Sequence, residues 1–150
     1  GSSGVGATLT ADANGALSVD GVTMSALYDR VLVKDQAAGL QNGIYTVTAT
    51  GSGAAVFVLT RATDFDSATE VTSGAFTFIE KGTTNSDSGW VMTTDGAVTI
   101  GTTALAFSQF SGAGQITAGT GLSKSGNTLS VDTTTIALRS FATAMAAALG

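Results

Sequence analysis

The carboxylates Asp64, Asp66 and Glu70 are the residues of this sequence whose type and spacing could support catalysis. A pair of carboxylic acids is sufficient for glycoside hydrolysis, because one acts as acid and the other as nucleophile or base. Asp29 and Asp35 are two further candidates. The chain contains no histidine and no cysteine, so it lacks the commonest general base and the thiolate nucleophile. Ser-His-Asp and Cys-His arrangements are therefore excluded within this chain.

Each of these acids also has a structural explanation. Ser67 and Glu70 have the spacing of a capping box, and Asp66 is a favourable N-cap residue. We therefore expect a short helical insert of one or two turns at this point. Asp29 and Asp35 bracket a predicted strand. Because the structural explanation is the stronger one, we predict that the protein is not an enzyme, has no catalytic residue and binds no cofactor.

Two acidic segments are the candidates for binding a metal ion. They are Asp64-x-Asp66 and the run from Asn85 to Gly89. Neither fits the calcium loop D-x-[DN]-x-[DN]-G, which ends in a bidentate glutamate. The phosphate-binding pattern GxxxxGK[ST] does not occur either. We therefore predict no metal site, and we interpret residues 85–89 as a surface turn that exposes side chains for contact.

The aromatic residues are the remaining candidates for a binding site. Trp90 is the only tryptophan in the chain. Its position in a predicted strand favours a place in the core, whereas a solvent-facing indole would offer a stacking platform for a sugar. Tyr28, Tyr45 and Phe107 are open to the same two interpretations, with core or subunit interface first and glycan contact second. We name Tyr28 and Trp90 as the candidate glycan-contact residues.

Charged residues are scarce in this sequence. Lys, Arg, Asp and Glu make up 11% of the 150 residues, against roughly 25% in typical soluble domains. A surface this poor in charge indicates that other subunits cover part of it. The hydrophobic fraction of 43% is sufficient for a folded core. A threonine-rich all-β monomer is the alternative interpretation of the same composition.

The sign and placement of the charges limit the choice of partner. The net charge of −5 argues against nucleic acid, because binding to phosphates requires clustered Lys and Arg. The six cations are scattered along the chain instead. Arg61 lies near Asp64, which predicts a local ion pair between them. No run of about 18 apolar residues occurs, so we predict no insertion into a membrane.

The pattern of apolar and turn residues predicts an all-β fold. Runs rich in Val, Phe and Thr are separated by turn residues such as Asn42-Gly43 and Asp95-Gly96. The predicted strands cover residues 17–24, 29–35, 43–49, 55–61, 74–80, 89–94, 97–101 and 104–110. Short strands at this spacing are typical of sandwiches and barrels. We therefore predict a compact β-sandwich or open barrel with a short helical insert, followed by a β-hairpin segment and a short C-terminal α-helix.

Changes in residue composition along the sequence divide the chain into four segments. We predict a flexible N-terminal arm over residues 1–16, a β domain over 17–111, a hairpin or joining segment over 112–132 and a helix over 133–150. The arm consists mainly of Gly, Ala, Ser and Thr in weak alternation. The hairpin segment is too poor in apolar residues to be stable alone in water, so we expect neighbouring chains to bury it.

The C-terminal segment is helical by propensity and carries a narrow apolar seam. Leu138, Phe141, Met145 and Ala148 follow a three-then-four spacing, with Leu149 alongside. A helix this short is marginal alone and requires a partner. It could dock on the β domain of its own chain, or form a short trimeric bundle. We favour the trimer, which makes Leu138, Phe141, Met145 and Leu149 the predicted oligomer interface.

Several stretches of this sequence resemble a known family. Residues 29–36 read DRVLVKDQ and residues 42–48 read NGIYTVT. Residues 60–95 read TRATDFDSATEVTSGAFTFIEKGTTNSDSGWVMTTD. Together they resemble a domain that recurs in bacteriophage tail-fibre and related virion proteins. Residues 116–132, ITAGTGLSKSGNTLSVD, resemble the short joining repeats that such fibres often carry.

The resemblance implies a structural protein of the virion, located in the tail or another external appendage. It implies a homotrimer that contacts other virion proteins and either joins a fibre to the particle or presents a surface to host polysaccharide. A receptor-binding module for bacterial surface glycan, and a capsid decoration or head-fibre protein, are the alternatives. A glycan depolymerase is less favoured, because the chain shows no internal repeats of the kind that β-helical enzymes carry.

Overall fold

A computed structural model describes residues 4–111, 116–125, 128–136 and 148 of the chain. The described residues form eleven strands and one 3-10 turn at Gly39–Gln41. The strands are β1 (Thr8–Thr10), β2 (Ser18–Val19), β3 (Val22–Thr23), β4 (Arg30–Val33), β5 (Gly43–Ser52), β6 (Ala55–Arg61), β7 (Phe76–Ile79), β8 (Ser88–Met92), β9 (Phe107–Gln109), β10 (Leu122–Ser125) and β11 (Thr128–Val131). Contacts divide the chain into a first unit, Gly1–Phe110, and a second unit, Ser111–Gly150. The prediction of an all-β fold is confirmed.

The largest sheet of the first unit is a four-stranded antiparallel sheet in the order β1-β6-β5-β4. Its centre is the long hairpin of β5 and β6, in which Val47 faces Leu59 and Tyr45 faces Arg61. Ile44 and Tyr45 are consecutive in β5, so their side chains point to opposite faces of the sheet. Both are buried. The sheet is therefore covered on both faces at this point.

Each face of the four-stranded sheet packs against its own group of buried residues. The first core cluster contains Ile44, Ala62, Phe65, Val71, Met92, Val98 and Leu105. The second contains Leu17, Val31, Tyr45, Val47 and Leu59. Since Met92 belongs to the three-stranded sheet β7-β8-β9, the first cluster is the core that the two larger sheets share. The described sheets do not close into a barrel.

A tight hairpin replaces the single strand predicted over residues 17–24. Asp20 and Gly21 have φ of 47° and 78°, the positive values that a type I′ hairpin turn requires at both central positions. The turn divides the segment into the two-residue strands β2 and β3, which pair with each other. The alternation of the segment suggested one strand, but the Asp-Gly pair is the stronger local signal.

Two further predictions need correction in the first unit. Residues 8–10, predicted as part of a flexible arm over 1–16, form β1 and pair with β6. Ala7 before them is buried. Residues 97–101, predicted as a strand, do not form one. Residues 97–99 have no regular secondary structure, and a turn follows in which the amide of Thr103 donates to the carbonyl of Thr99 at 2.8 Å. Val98 is nevertheless buried in the first core cluster.

The prediction of a helical insert at residues 66–70 is also wrong, although part of its capping chemistry is present. The backbone N–H of Ser67 donates to the Glu70 carboxylate at 3.2 Å, and the Ser67 hydroxyl donates to it at 2.8 Å. The amide of Val71 donates to the Ser67 carbonyl at 3.0 Å, which closes a single turn. No helix follows, because Val71 is anchored in the core and Gly74 turns the chain with a φ of 81°.

The second unit contains one hairpin among its described residues, β10 with β11. Leu122 faces Val131 and Lys124 faces Leu129, so these four side chains share one face, and Leu122, Leu129 and Val131 are exposed. Asp132 follows the hairpin and accepts hydrogen bonds from Thr134 and Thr135. The predicted interface residues Leu138, Phe141, Met145 and Leu149 lie outside the described residues.

Candidate functional site

A cleft of about 440 Å³ in the first unit is the strongest candidate for a binding site. It lies between β4 and β7, which are terminal strands of their two sheets, and the β2–β3 hairpin closes one side. Consecutive residues of both strands line it: Arg30, Val31 and Leu32 of β4, and Thr77, Phe78 and Ile79 of β7. A strand face would contribute only alternate residues. The cleft therefore faces the edges of the two strands.

Both aromatic residues predicted to contact glycan, Tyr28 and Trp90, line this cleft. They are 62 positions apart in the chain. Tyr28 lies just before β4 and Trp90 lies in β8, and the two residues come together because these strands belong to sheets that share a core. Their role in binding stays a prediction. Tyr45 and Phe107 do not line the cleft: Tyr45 is fully buried in the second core cluster and Phe107 packs against the first.

Tyr28 is held in an uncommon backbone conformation. Its φ is 70°, a value that bulky residues rarely adopt and that costs on the order of 1–3 kcal/mol. The amide of Tyr28 donates to the Val47 carbonyl at 2.8 Å, which fixes the backbone to the middle of β5. The side chain is 75% exposed. The chain therefore accepts strain at Tyr28 while leaving the ring available to solvent.

Trp90 is half-buried, which is intermediate between the core position and the solvent-facing position considered for it. Its indole N–H donates to the Ser88 hydroxyl at 2.9 Å, which fixes the ring orientation. The ammonium of Lys34 lies 4.5 Å from the ring centroid, a cation–π distance. Lys34 also forms an ion pair with Asp35. The indole is thus positioned by two polar side chains, Ser88 and Lys34, and contributes its remaining surface to the cleft.

The charged groups of the cleft balance each other. The lining acids and bases are Asp20, Asp29, Glu80, Arg30, Lys34 and Lys81. Three carboxylates and three cations give a lining without net charge, so the cleft does not select strongly for an anion or a cation. It is instead rich in hydrogen-bonding groups beside exposed aromatic surface, a composition that suits a neutral polar ligand.

Asp20 fixes the β2–β3 hairpin to the opposite wall of the cleft. Its carboxylate accepts hydrogen bonds from the backbone N–H of Asn85 at 2.8 Å and of Thr84 at 3.1 Å. The Thr83 hydroxyl and the Asn85 amide donate to it as well. These bonds, led by the one from the Asn85 backbone N–H, lower the pKa of Asp20 from 3.8 to about 2, against a smaller opposing effect of desolvation. The predicted surface turn at 85–89 is therefore partly a structural element of the cleft.

Four of the five acids considered for catalysis lie outside the lining of the cleft. Both oxygens of Asp64 accept from the Arg30 guanidinium at 2.9 Å, Glu70 accepts from Ser67 and Asp35 pairs with Lys34. Asp66 is buried. Asp29 alone of the five lines the cleft. In the part of the chain that the structure describes, no cluster of three or more acidic, histidine or cysteine side chains could hold a metal ion.

The predicted ion pair between Arg61 and Asp64 is not formed. Arg61 is 1% exposed. Its guanidinium donates to the carbonyls of Asn42 and Leu40 at 3.1 and 3.2 Å and to the Tyr45 hydroxyl at 3.0 Å. Burial raises the pKa of Tyr45, and the nearby positive charge of Arg61 opposes that shift. Arg61 shares its strand face with the buried Leu59, and this alternation was the signal in the sequence for its burial.

A second surface of interest was missed at the sequence level. Phe76, Phe78 and Phe110 are large apolar residues that the structure leaves exposed. The signal was the spacing in Phe76-Thr77-Phe78, which places both phenylalanines on one face of a strand.

Comparison with known proteins identified no relative of this chain. No protein-family model, curated protein or solved structure matches the chain. Among the described residues, no helix has the length and apolar character needed to cross a membrane.

Proposed function

We propose that this chain is a non-enzymatic, homotrimeric component of a bacteriophage tail fibre or related virion appendage, and that its cleft contacts a glycan on the host surface. The resemblance of residues 29–36, 42–48 and 60–95 to tail-fibre domains supports the first part. The packing of the two larger sheets around a shared core supports the sandwich or open-barrel domain expected of such a protein.

The observation that carries the glycan proposal is the convergence of Tyr28 and Trp90 on one cleft. Sugars present apolar C–H faces that pack on aromatic rings, and hydroxyl groups that pair with amide and carboxylate side chains. The same cleft contains the Asn85 amide and the Asp29 and Glu80 carboxylates. Its lining without net charge matches a neutral saccharide better than a phosphate or a cationic peptide.

Assembly would convert a weak site into strong attachment. An open cleft lined by the three aromatic side chains of Tyr28, Phe78 and Trp90 supports modest affinity for one saccharide unit, because little ligand surface is buried. Three copies on one rigid appendage bind a repeating polysaccharide as a multivalent body, which raises the overall affinity without new contacts.

Binding of purified host-surface polysaccharides to the immobilised intact chain tests the cleft. We expect saturable binding that Tyr28→Ala and Trp90→Ala each weaken about tenfold, the effect of roughly 1.4 kcal/mol. Leu27→Ala is the matched control, because Leu27 is an exposed apolar neighbour of Tyr28 that does not line the cleft. Equal binding by all three variants would contradict the proposed site.

Light scattering of the intact chain tests the assembly. We expect a mass near three times 14.8 kDa, and loss of the trimer when the chain is truncated after Asp132. A monomer at every concentration would contradict the proposed trimer without bearing on the cleft.

A further inference from the structure

We propose that the outer face of the three-stranded sheet is a contact surface for a second copy of this chain. The surface, here called the phenylalanine face, consists of Phe76, Phe78, Val91 and Phe110. The inference goes beyond the proposed function, because it concerns the first unit and not the C-terminal segment. Of the four members of the phenylalanine face only Phe78 also lines the glycan cleft.

The strand register places these side chains together. Phe76 pairs with Val91, and Phe78 pairs with Gly89, and directly opposed residues of antiparallel strands lie on the same face. The amide of Phe110 donates to the Gly89 carbonyl at 2.9 Å, which extends the arrangement beyond β9. The rings of Phe76 and Phe110 meet edge to face, with centroids 6.1 Å apart and an interplanar angle of 87°. The phenylalanine face is therefore one continuous patch.

The patch is open to solvent in the single chain. Phe76, Phe78 and Phe110 are 75%, 55% and 51% exposed. An open hollow of about 320 Å³ lies on it, lined by Phe76, Val91 and Phe110. Soluble proteins rarely leave several large aromatic side chains exposed side by side, and such patches usually mark sites of association. The ordered edge-to-face pair provides a shaped apolar surface with room for a partner side chain.

The charge of the face favours a second copy as the occupant. None of its four members carries a charge, and the neighbouring residue in the row of Phe76 and Val91 is Ser108. An uncharged face meets its own copy without the repulsion that like charges would cause. The net charge of −5 disfavours anionic lipid headgroups and nucleic acid as partners. Scarcity of charge over the whole chain fits a surface partly covered by other copies.

The area of the face is in the range that self-association requires. At the observed exposures the three rings offer roughly 350 Å² of aromatic surface per copy, since an aromatic side chain buries about 150–250 Å². A standard interface buries about 800 Å² per partner, with an apolar centre and a polar rim. The rings therefore supply close to half of the area, and the exposed Ser108 beside Val91 is a polar residue of the rim.

The test is the dissociation constant for self-association of the intact chain, measured by sedimentation over a series of concentrations. We expect the double variant Phe76→Ser/Phe110→Ser to raise that constant at least tenfold. The matched control is Val5→Ser/Leu27→Ser, which removes apolar side chains of similar exposure (77% and 51%) away from the face. An unchanged constant in the phenylalanine variant, or a wild-type chain that never associates, would overturn the inference.

A second measurement does not depend on the folding of the double variant. The chain has no cysteine, so Ser108→Cys introduces a single thiol in the row of Phe76 and Val91. We expect a short bis-maleimide to link two Ser108→Cys copies faster than two Ser52→Cys copies, because Ser52 is exposed at the far end of β5. Equal rates of linkage would overturn the proposed contact. Glycan binding measured on the same variants separates this outcome from failure of the cleft.

Discussion

The two faces of the three-stranded sheet carry similar residues with opposite surroundings. On the inner face Met92 is 1% exposed, Phe107 packs against the first core cluster and Trp90 lines the cleft. On the outer face Phe76 is 75% exposed and Val91 lies beside it. Successive residues of a strand alternate between faces. The same strands therefore supply core residues on the inner face and contact residues on the outer face.

The comparison shows that residue type alone does not decide what an apolar side chain contributes. An inner side chain is removed from water when the chain folds, so it stabilises the folded state. An outer side chain remains in water in the single chain, so its apolar surface becomes favourable only when a partner covers it. Stability and association are therefore expected to respond to different substitutions on the same strands.

The largest expected effect is on stability, from the inner face. Met92→Ala is expected to lower the free energy of unfolding by about 2–5 kcal/mol, because it leaves a cavity in the shared core. Phe76→Ala is its outer counterpart and is expected to change that energy by less than about 0.5 kcal/mol. Urea unfolding at low protein concentration measures both. A loss in Phe76→Ala as large as that in Met92→Ala would show that the outer face is covered within the single chain.

An intermediate effect on the free energy of unfolding is expected when a buried arginine, Arg61, is compared with an exposed one, Arg30. Arg61→Met leaves the carbonyls of Leu40 and Asn42 and the Tyr45 hydroxyl without their buried donor, a loss of about 1–3 kcal/mol. Arg30→Met removes only the exposed ion pair with Asp64, which is worth about 0–1 kcal/mol. Urea unfolding of the two variants checks the ranking. Equal losses would mean that burial does not govern the contribution of these side chains.

The smallest expected effect is on the pH dependence of stability. It comes from the Asp20 carboxylate, whose hydrogen bonds connect the two walls of the cleft. The pKa of Asp20 in the folded chain is about 2, below its ordinary 3.8. Its hydrogen bonds therefore stabilise the folded state above pH 3.8, and the stabilisation is lost as the pH falls toward about 2.

The melting temperature of Asp20→Asn across this pH range tests that dependence. The variant is expected to melt below the wild type near neutral pH, with a difference that narrows as the pH approaches about 2. Asp12→Asn, at another acid of the same unit, is the control. A constant difference between Asp20→Asn and wild type at every pH would mean that the carboxylate charge is not responsible.

Local patterns in the sequence predicted much of the fold. The strands β4, β5, β6, β7 and β8 lie within or close to the predicted ranges, since they combine β-branched residues with period-two alternation. One of the two capping-box bonds is present, from the Ser67 backbone N–H to the Glu70 carboxylate. The expected helix is not, because capping satisfies a first turn without supplying the packing that extends it.

The candidate site was predictable only in part. Tyr28 and Trp90 were identified by residue type, but their meeting at one cleft depends on how two sheets pack around Met92 and its neighbours. The polar tie of Asp20 to residues 83–85 has the same origin, because it joins segments more than 60 positions apart. No local pattern specifies such contacts, since loop closure over that distance is decided by the whole core.

The sequence by itself determined the class of structure and the partition of side chains between strand faces. Alternation in Phe76-Thr77-Phe78-Ile79 sets which residues share a face, because that geometry belongs to the strand alone. Only the tertiary structure decided which face is covered. Burial depends on residues brought from elsewhere in the chain, and that is why Ile79 lines a cleft while Phe76 faces solvent.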